Sequence, residues 1–256
     1  MVDGLDIFKA HFAEYADRYV LIGGTASSLA MDELGVDFRV TKDLDIVLIV
    51  EALDLEFVKA FWKFVELGQY QNQQKSTGKR LFYRFYAPHD KRFPFMLELF
   101  SRRPDAIDLA GKTGLTPIPT GDEVSSLSAI LMDDDYYSFV LEQRRDINGL
   151  SYIGAEALIP LKAKAYTDLS ERKLAGESVN SKDIKKHKND VFRLFSILQT
   201  DQSIDCPASI RRDLRAAFLL LSEEPVDLKA LNIKGKVQRE VLEELTVCYG
   251  LRSSES

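Results

Sequence analysis

Tyr19 to Val50 runs YVLIGGTASSLAMDELGVDFRVTKDLDIVLIV. It opens on Tyr19-Val20-Leu21-Ile22, which has the composition of a short apolar strand. Gly23-Gly24 ends that run, and Thr25 to Met31 supplies the Ala, Leu and Met that favour helix. A strand, a glycine pair and a helix start let backbone N–H groups approach a phosphate. Thr25 or Ser27 can add a hydroxyl there. Further on, Asp43-Leu44-Asp45-Ile46-Val47-Leu48-Ile49-Val50 is dense in β-branched residues and predicts a strand buried on both faces. Side chains two apart in a strand point to one side, so Asp43 and Asp45 aim their carboxylates the same way. Like charges so close, drawn out of water, call for a cation between them. Magnesium suits the pair, because it takes few protein oxygens and completes its shell with phosphate and water.

A lone Gly-Gly is usually an ordinary turn; Asp-x-Asp one short helix later gives it weight. Arg39 and Thr41 lead into the Asp43 strand, and Arg39 is assigned an ion-pair or phosphate role over that of a solvated loop cation. Glu98 lies in Phe93 to Phe100, FPFMLELF, with apolar neighbours on both sides, where an unpaired carboxylate is costly. It can face water at a sheet edge, pair with Arg84 or Arg102, or act as a third carboxylate on the strand beside Asp43 and Asp45. The third role is preferred, ahead of Asp105 or Asp108 in the Pro-containing stretch that follows. Asp133-Asp134-Asp135 is read as a solvated turn or helix cap, since consecutive acids do not converge on one point.

Apolar spacing predicts a first helix from Leu5 to about Asp17 and another from Leu53 to Leu67, whose aromatics belong to the core. Gly68 to Arg80 is a polar loop and Leu81 to Tyr86 a strand. Arg102 to Gly121 carries Pro104, Gly111, Gly114, Pro117, Pro119 and Gly121, the punctuation of a domain boundary. Pro160 suits the first turn of a helix running to Lys173, and Ser181 caps a second that ends at Phe195. From Lys162 to Arg193 there are nine Lys/Arg against five Asp/Glu. Such a run is commonly a solvated helix face, yet Lys186, Asp190 and Arg193 share one face. Two more helices, about 209–221 and 236–249, complete the chain. His187 is given no chemistry, and Arg211, Arg212 and Arg215, which can contact a polyanion, are read as a solvated face.

Gly23-Gly24-Thr25-Ala26 followed by Arg39-x-Thr41-x-Asp43-Leu44-Asp45 resembles the polymerase-β-type nucleotidyltransferase superfamily, and within it the AbiEii/AbiGii-toxin type. The resemblance is strong over 20–50 and moderate over about 122–194. It implies an α+β protein: an N-terminal mixed-sheet domain, 1–120, and a mainly helical domain, 121–256, closing the nucleotide cleft. It implies transfer of a nucleoside monophosphate from an NTP to an acceptor hydroxyl. Asp43, Asp45 and Glu98 would hold two Mg2+ ions. Gly23, Gly24 and Thr25 would bind the β- and γ-phosphates, with Arg39, Thr41 and Lys162 beside them. Lys162 to Ala165 is similar to the family's Lys-x-x-Ala helix, and Lys186 to Leu194, with Asp190, to its basic helix. Lys188 is followed by Asn189, which departs from the family's Arg-x-Lys-Asp spelling. RNA or tRNA as acceptor, and a cognate antitoxin, are the partners it implies.

The whole chain sets bounds on this. Its 256 residues are 45% hydrophobic and 29% charged, an ordinary globular composition. A net charge of -6 argues against a general polyanion-binding coat, though not against a local basic patch. Cys206 and Cys248 lack ligand spacing or a disulfide framework and are read as reduced thiols. No secretory or membrane-spanning pattern is visible, so the expected place is the cytoplasm, with no membrane partner. The rival from another class is a degenerate, non-catalytic module that holds a nucleotide or a partner protein.

Overall fold

The structure, a computed structural model, describes residues 2–71, 84–102, 133–201 and 203–252. Over these residues the chain is α+β, with one six-stranded mixed sheet and eight helices. It divides into two compact units, Met1–Ile153 and Gly154–Ser256.

The first unit runs α1 (Leu5–His11), β1 (Tyr19–Ile22), α2 (Gly23–Asp32), β2 (Asp43–Leu48), α3 (Leu55–Gly68), β3 (Arg84–Tyr86), β4 (Met96–Phe100), α4 (Asp134–Glu142), β5 (Arg144–Ile147) and β6 (Leu150–Ile153). The sheet order is β3-β4-β2-β1-β6-β5. β2 is parallel to β4 and β1 is parallel to β6, while the other neighbours are antiparallel. β1 and β2 are therefore interior strands, which is why β1 is apolar throughout and β2 is apolar apart from Asp43 and Asp45. All four residues of β1 are buried. Phe57, Phe61 and Phe64 of α3 are buried among Phe8, Phe12 and Phe85. Ring-centroid distances there run from 4.6 Å for Phe8–Phe12 to 6.5 Å for Phe57–Phe61, so the α3 aromatics are core. Asp54 caps α3, its side chain accepting from Phe57 N at 2.8 Å. Asp133 caps α4 in the same manner, accepting from Asp135 N and Tyr136 N.

The first unit ends well past the expected 120/121 boundary, a position that itself lies outside the described residues. The reason is the β5–β6 hairpin, which adds to the sheet beside β1. Its turn is Asn148-Gly149, with φ of 52° and 79° at the two residues. Those left-handed values are what a two-residue hairpin of this type requires.

The second unit is helical: α5 (Ala155–Leu174), α6 (Ser181–Phe195), α7 (Ala208–Glu223) and α8 (Gln238–Cys248). Pro160 lies inside α5 and not in its first turn. Proline has no N–H for the carbonyl four residues earlier, here that of Glu156. The Tyr249 hydroxyl donates to that carbonyl at 2.8 Å and so replaces the missing bond. Asn180, one residue before the expected Ser181, caps α6 by accepting from Lys182 N at 3.0 Å. Cys206 and Cys248 are free and buried, and burial pushes the Cys206 thiol up to about 11. Among the described residues, no helix is long and apolar enough to cross a membrane.

Candidate functional site

The glycine pair begins α2 and carries no Cβ at two places where one would collide. Gly23 has φ of 62°, and a Cβ there would fall 1.7 Å from Asp45 Oδ2. A Cβ on Gly24 would meet Thr41 Oγ1 at 2.6 Å and Arg39 Nη2 at 3.6 Å. Asp45, Thr41 and Arg39 thus gather against the start of α2, though they follow it by a loop of polar and exposed residues. The positive end of the helix dipole makes this a favourable place for an anion. Arg39 also stacks its guanidinium 5.0 Å from the Phe38 ring.

Thr25, expected beside the phosphates, makes a contact within the fold. Its hydroxyl is fully buried and donates to the Asp43 carbonyl at 2.8 Å, tying α2 to β2. Ser27 is also buried, donating to the Gly23 carbonyl at 2.7 Å. Neither hydroxyl proton points to a ligand. Each is held by the fold, and Thr25 sets the height of α2 against the acidic strand.

The strand register fixes the acids. Asp45 stands opposite Glu98 across the parallel β2–β4 pair, and Asp43 opposite Met96. Neighbouring strands lie about 4.8 Å apart and paired residues share a face, so Asp43, Asp45 and Glu98 are on one side of the sheet. β3 continues the row: Arg84 stands opposite Glu98. Its Nη2 donates to Glu98 Oε1 at 2.5 Å. The Glu98 side chain is only 9% exposed and that of Arg84 31%.

Asp45 Oδ2 lies close to Gly23, at the end of β1, and Glu98 is paired with Arg84 on β3. Among the described residues, no group of three His, Cys, Asp or Glu side chains could hold a metal ion. The donor set does fit one hard divalent cation. Asp43 and Asp45 supply oxygen ligands from alternate residues of one strand, and phosphate and water oxygens complete such a shell. Glu98, the third expected ligand, is paired with Arg84. Asp105 and Asp108 lie outside the described residues.

The other expected residues belong to the second unit. Lys162 on α5 reaches Asp190 on α6, Nζ to Oδ2 at 3.6 Å. Arg193 donates to the other Asp190 oxygen at 3.0 Å. Lys162 and Asp190 side chains are 3% and 0% exposed, so this is an internal ion-pair cluster where α5 packs on α6. Removing one member of such a cluster leaves an uncompensated buried charge. Lys186 lies on the same helix, half-buried. Sequence reasoning offered Arg84 as one partner for Glu98 but preferred another role for that acid, and so gave Arg84 no place in the site. Its signal was indirect: an isolated acid in an apolar strand needs a cation from a neighbouring strand, and Arg84 heads one. Comparison with protein-family models, with curated proteins and with solved structures found no match to this chain.

Proposed function

We propose that the first unit is the catalytic half of a cation-dependent nucleotidyltransferase, moving a nucleoside monophosphate from an NTP to an acceptor hydroxyl. One observation carries the reading: Asp45 is packed against Gly23 so closely that a Cβ there would force the carboxylate to move. An acidic strand is thus brought to a helix start whose backbone is bare, as joint binding of a cation and a phosphate demands. The spelling of residues 23–26 and 39–45, which resembles the nucleotidyltransferase superfamily, supports the same conclusion.

In the proposed reaction the acceptor oxygen bonds to the α-phosphorus and the bond from that phosphorus to the bridging oxygen breaks. Pyrophosphate leaves with the electron pair, and the acceptor proton passes to water or to a carboxylate facing it. A divalent cation, when bound, supplies charge neutralisation for the phosphates. Asp43 and Asp45 would hold it. Gly23 and Gly24 let the triphosphate approach the α2 backbone, and Arg39 and Thr41 line the same place. Thr25 keeps α2 and β2 in register, which preserves the spacing between phosphate and cation.

The test is incubation with each α-labelled NTP and total cellular RNA, with and without magnesium. Label should enter an RNA acceptor only with magnesium and vanish in Asp45→Asn. Unchanged labelling by Asp45→Asn would overturn the assignment. A second reading, a non-catalytic nucleotide-holding module, is favoured by the Arg84–Glu98 and Lys162–Asp190 pairs, which occupy two groups expected to act in chemistry. It gives magnesium-dependent NTP binding with no label transferred to any acceptor.

A further inference from the structure

In the second unit, α5, α6 and the end of α7 line a cavity of about 470 Å³. Along α6 it is bounded by Ser181, Ile184, Lys185 and Lys188, spaced i, i+3, i+4 and i+7, which is one stripe of a helix. Leu174 of α5 and Leu220 of α7 join Ile184 in an aliphatic wall. Leu174 is 87% exposed and Leu220 37%, so the wall is open to water. The charges around it do not balance. Glu224, the only acid among the described lining residues, is already engaged: Lys188 donates to it at 2.6 Å. Tyr166 hydrogen-bonds the same carboxylate, and burial, with the Glu224 charge beside it, keeps its phenol protonated. Lys173 donates to Ser181 Oγ at 2.9 Å, which carries its ammonium from the end of α5 to the start of α6. Lys185 lies one turn further along the same stripe, and neither lysine has a carboxylate partner among the described residues.

We propose that this cavity binds an amphipathic anion, a small molecule with one acidic head on an alkyl body. The proposal goes beyond the nucleotidyltransferase reading and uses residues of the second unit alone. Two leucines and an isoleucine open to water gain by being covered with hydrocarbon. The Lys173 and Lys185 ammonium groups gain from one anionic head, and gain more beside an apolar wall than in open water, because they are screened less there. Ser181 accepts from Lys173 and keeps its own proton to donate to the same head. A neutral alkyl ligand would leave both ammonium groups unmatched, and an inorganic anion would leave the wall wet. The volume falls in the range of small-ligand pockets, about 300–1,000 Å³. In a chain of net charge -6, unmatched lysines at an aliphatic wall are a local feature and not the character of the whole surface.

Calorimetric titration of the whole chain with decanoate tests this, with octanoate, 1-decanol and decyltrimethylammonium as comparisons. Decanoate should bind saturably, one per chain, and about tenfold more tightly than octanoate, as two further methylenes on an apolar wall give. Decanol should bind about tenfold more weakly than decanoate, and the cationic amphiphile not at all. Lys173→Gln with Lys185→Gln should weaken decanoate by about tenfold and leave decanol unchanged, whereas Leu174→Ser should weaken both by about threefold. All three side chains are exposed, so their replacement leaves the fold intact. With decanoate bound, hydrogen exchange should slow at amides of α5, α6 and α7. No saturable binding, equal affinity for decanol or for decyltrimethylammonium, unaltered decanoate affinity in the double lysine variant, or protection confined to the first unit would each overturn the proposal.

Discussion

Gly23 is the residue on which the site's geometry turns. Two separate constraints act on it: a left-handed φ of 62° and an Asp45 oxygen 1.7 Å from where a Cβ would stand. A non-glycine residue in the left-handed region costs about 1–3 kcal/mol, and here the acid must also move. Gly23→Ala should therefore lose about 2 kcal/mol of stability in the first unit and displace the Asp45 side chain. Trp62, the only tryptophan, lies in α3 of that unit and reports its unfolding by fluorescence. Gly24 lacks a positive φ and meets only the side chains of Thr41 and Arg39, so Gly24→Ala should cost less. Equal stability of Gly23→Ala and wild type would remove the argument for a close approach. The strand holding Asp43 and Asp45, and the helix start at the glycine pair, are legible in the sequence because residue spacing alone gives them. The fate of the Thr25 hydroxyl is not, because its acceptor, the Asp43 carbonyl, is set by how α2 packs on β2 and by no local pattern.

Among the elements, the β5–β6 hairpin shows where reading from one stretch outward stops. Leu150-Ser151-Tyr152-Ile153 is buried throughout as β6, parallel to β1, yet in the sequence it runs directly into α5. Its identity depends on a strand more than a hundred residues earlier. The Asn148-Gly149 turn is the local mark that predicts it. Gly149 has φ of 79°, and a Cβ added to it would meet nothing within 4 Å, so it isolates the backbone cost from any collision. Gly149→Ala should destabilise the hairpin by about 1 kcal/mol, seen as faster hydrogen exchange at β5 and β6 amides, with no effect on Mn2+ binding at Asp43 and Asp45. Exchange equal to that of wild type would mean the turn does not hold the hairpin in place. β2 and β4 tell the opposite story. Both are short apolar runs interrupted by acids, so existence and facing follow from period two alone. What that period leaves open is which neighbour each acid turns to, and the answer for Glu98 is an arginine on β3.

On the scale of the whole molecule, the two units use their ionisable groups differently. The first keeps Asp43 and Asp45 half-buried at a helix start. The second closes Lys162, Asp190 and Arg193 on one another in its interior, where they fix how α5 and α6 pack. A comparable internal pairing joins α8 to α5. Pro160 deprives the Glu156 carbonyl of its helical partner, and Tyr249, fully buried just after α8, supplies the donor. A buried carbonyl left without a partner costs about 1–3 kcal/mol, so Tyr249→Phe should destabilise the second unit by about that amount. Pro160→Ala restores an N–H for the same carbonyl, and in that background Tyr249→Phe should cost about 1 kcal/mol less. Hydrogen exchange at α5 and α8 amides reads the cycle without treating the two-unit chain as one cooperative transition. Identical costs of Tyr249→Phe in both backgrounds would show that the hydroxyl acts independently of the proline. A positive coupling would mean that a residue which breaks α5 locally is the one that ties α5 to the last helix of its unit.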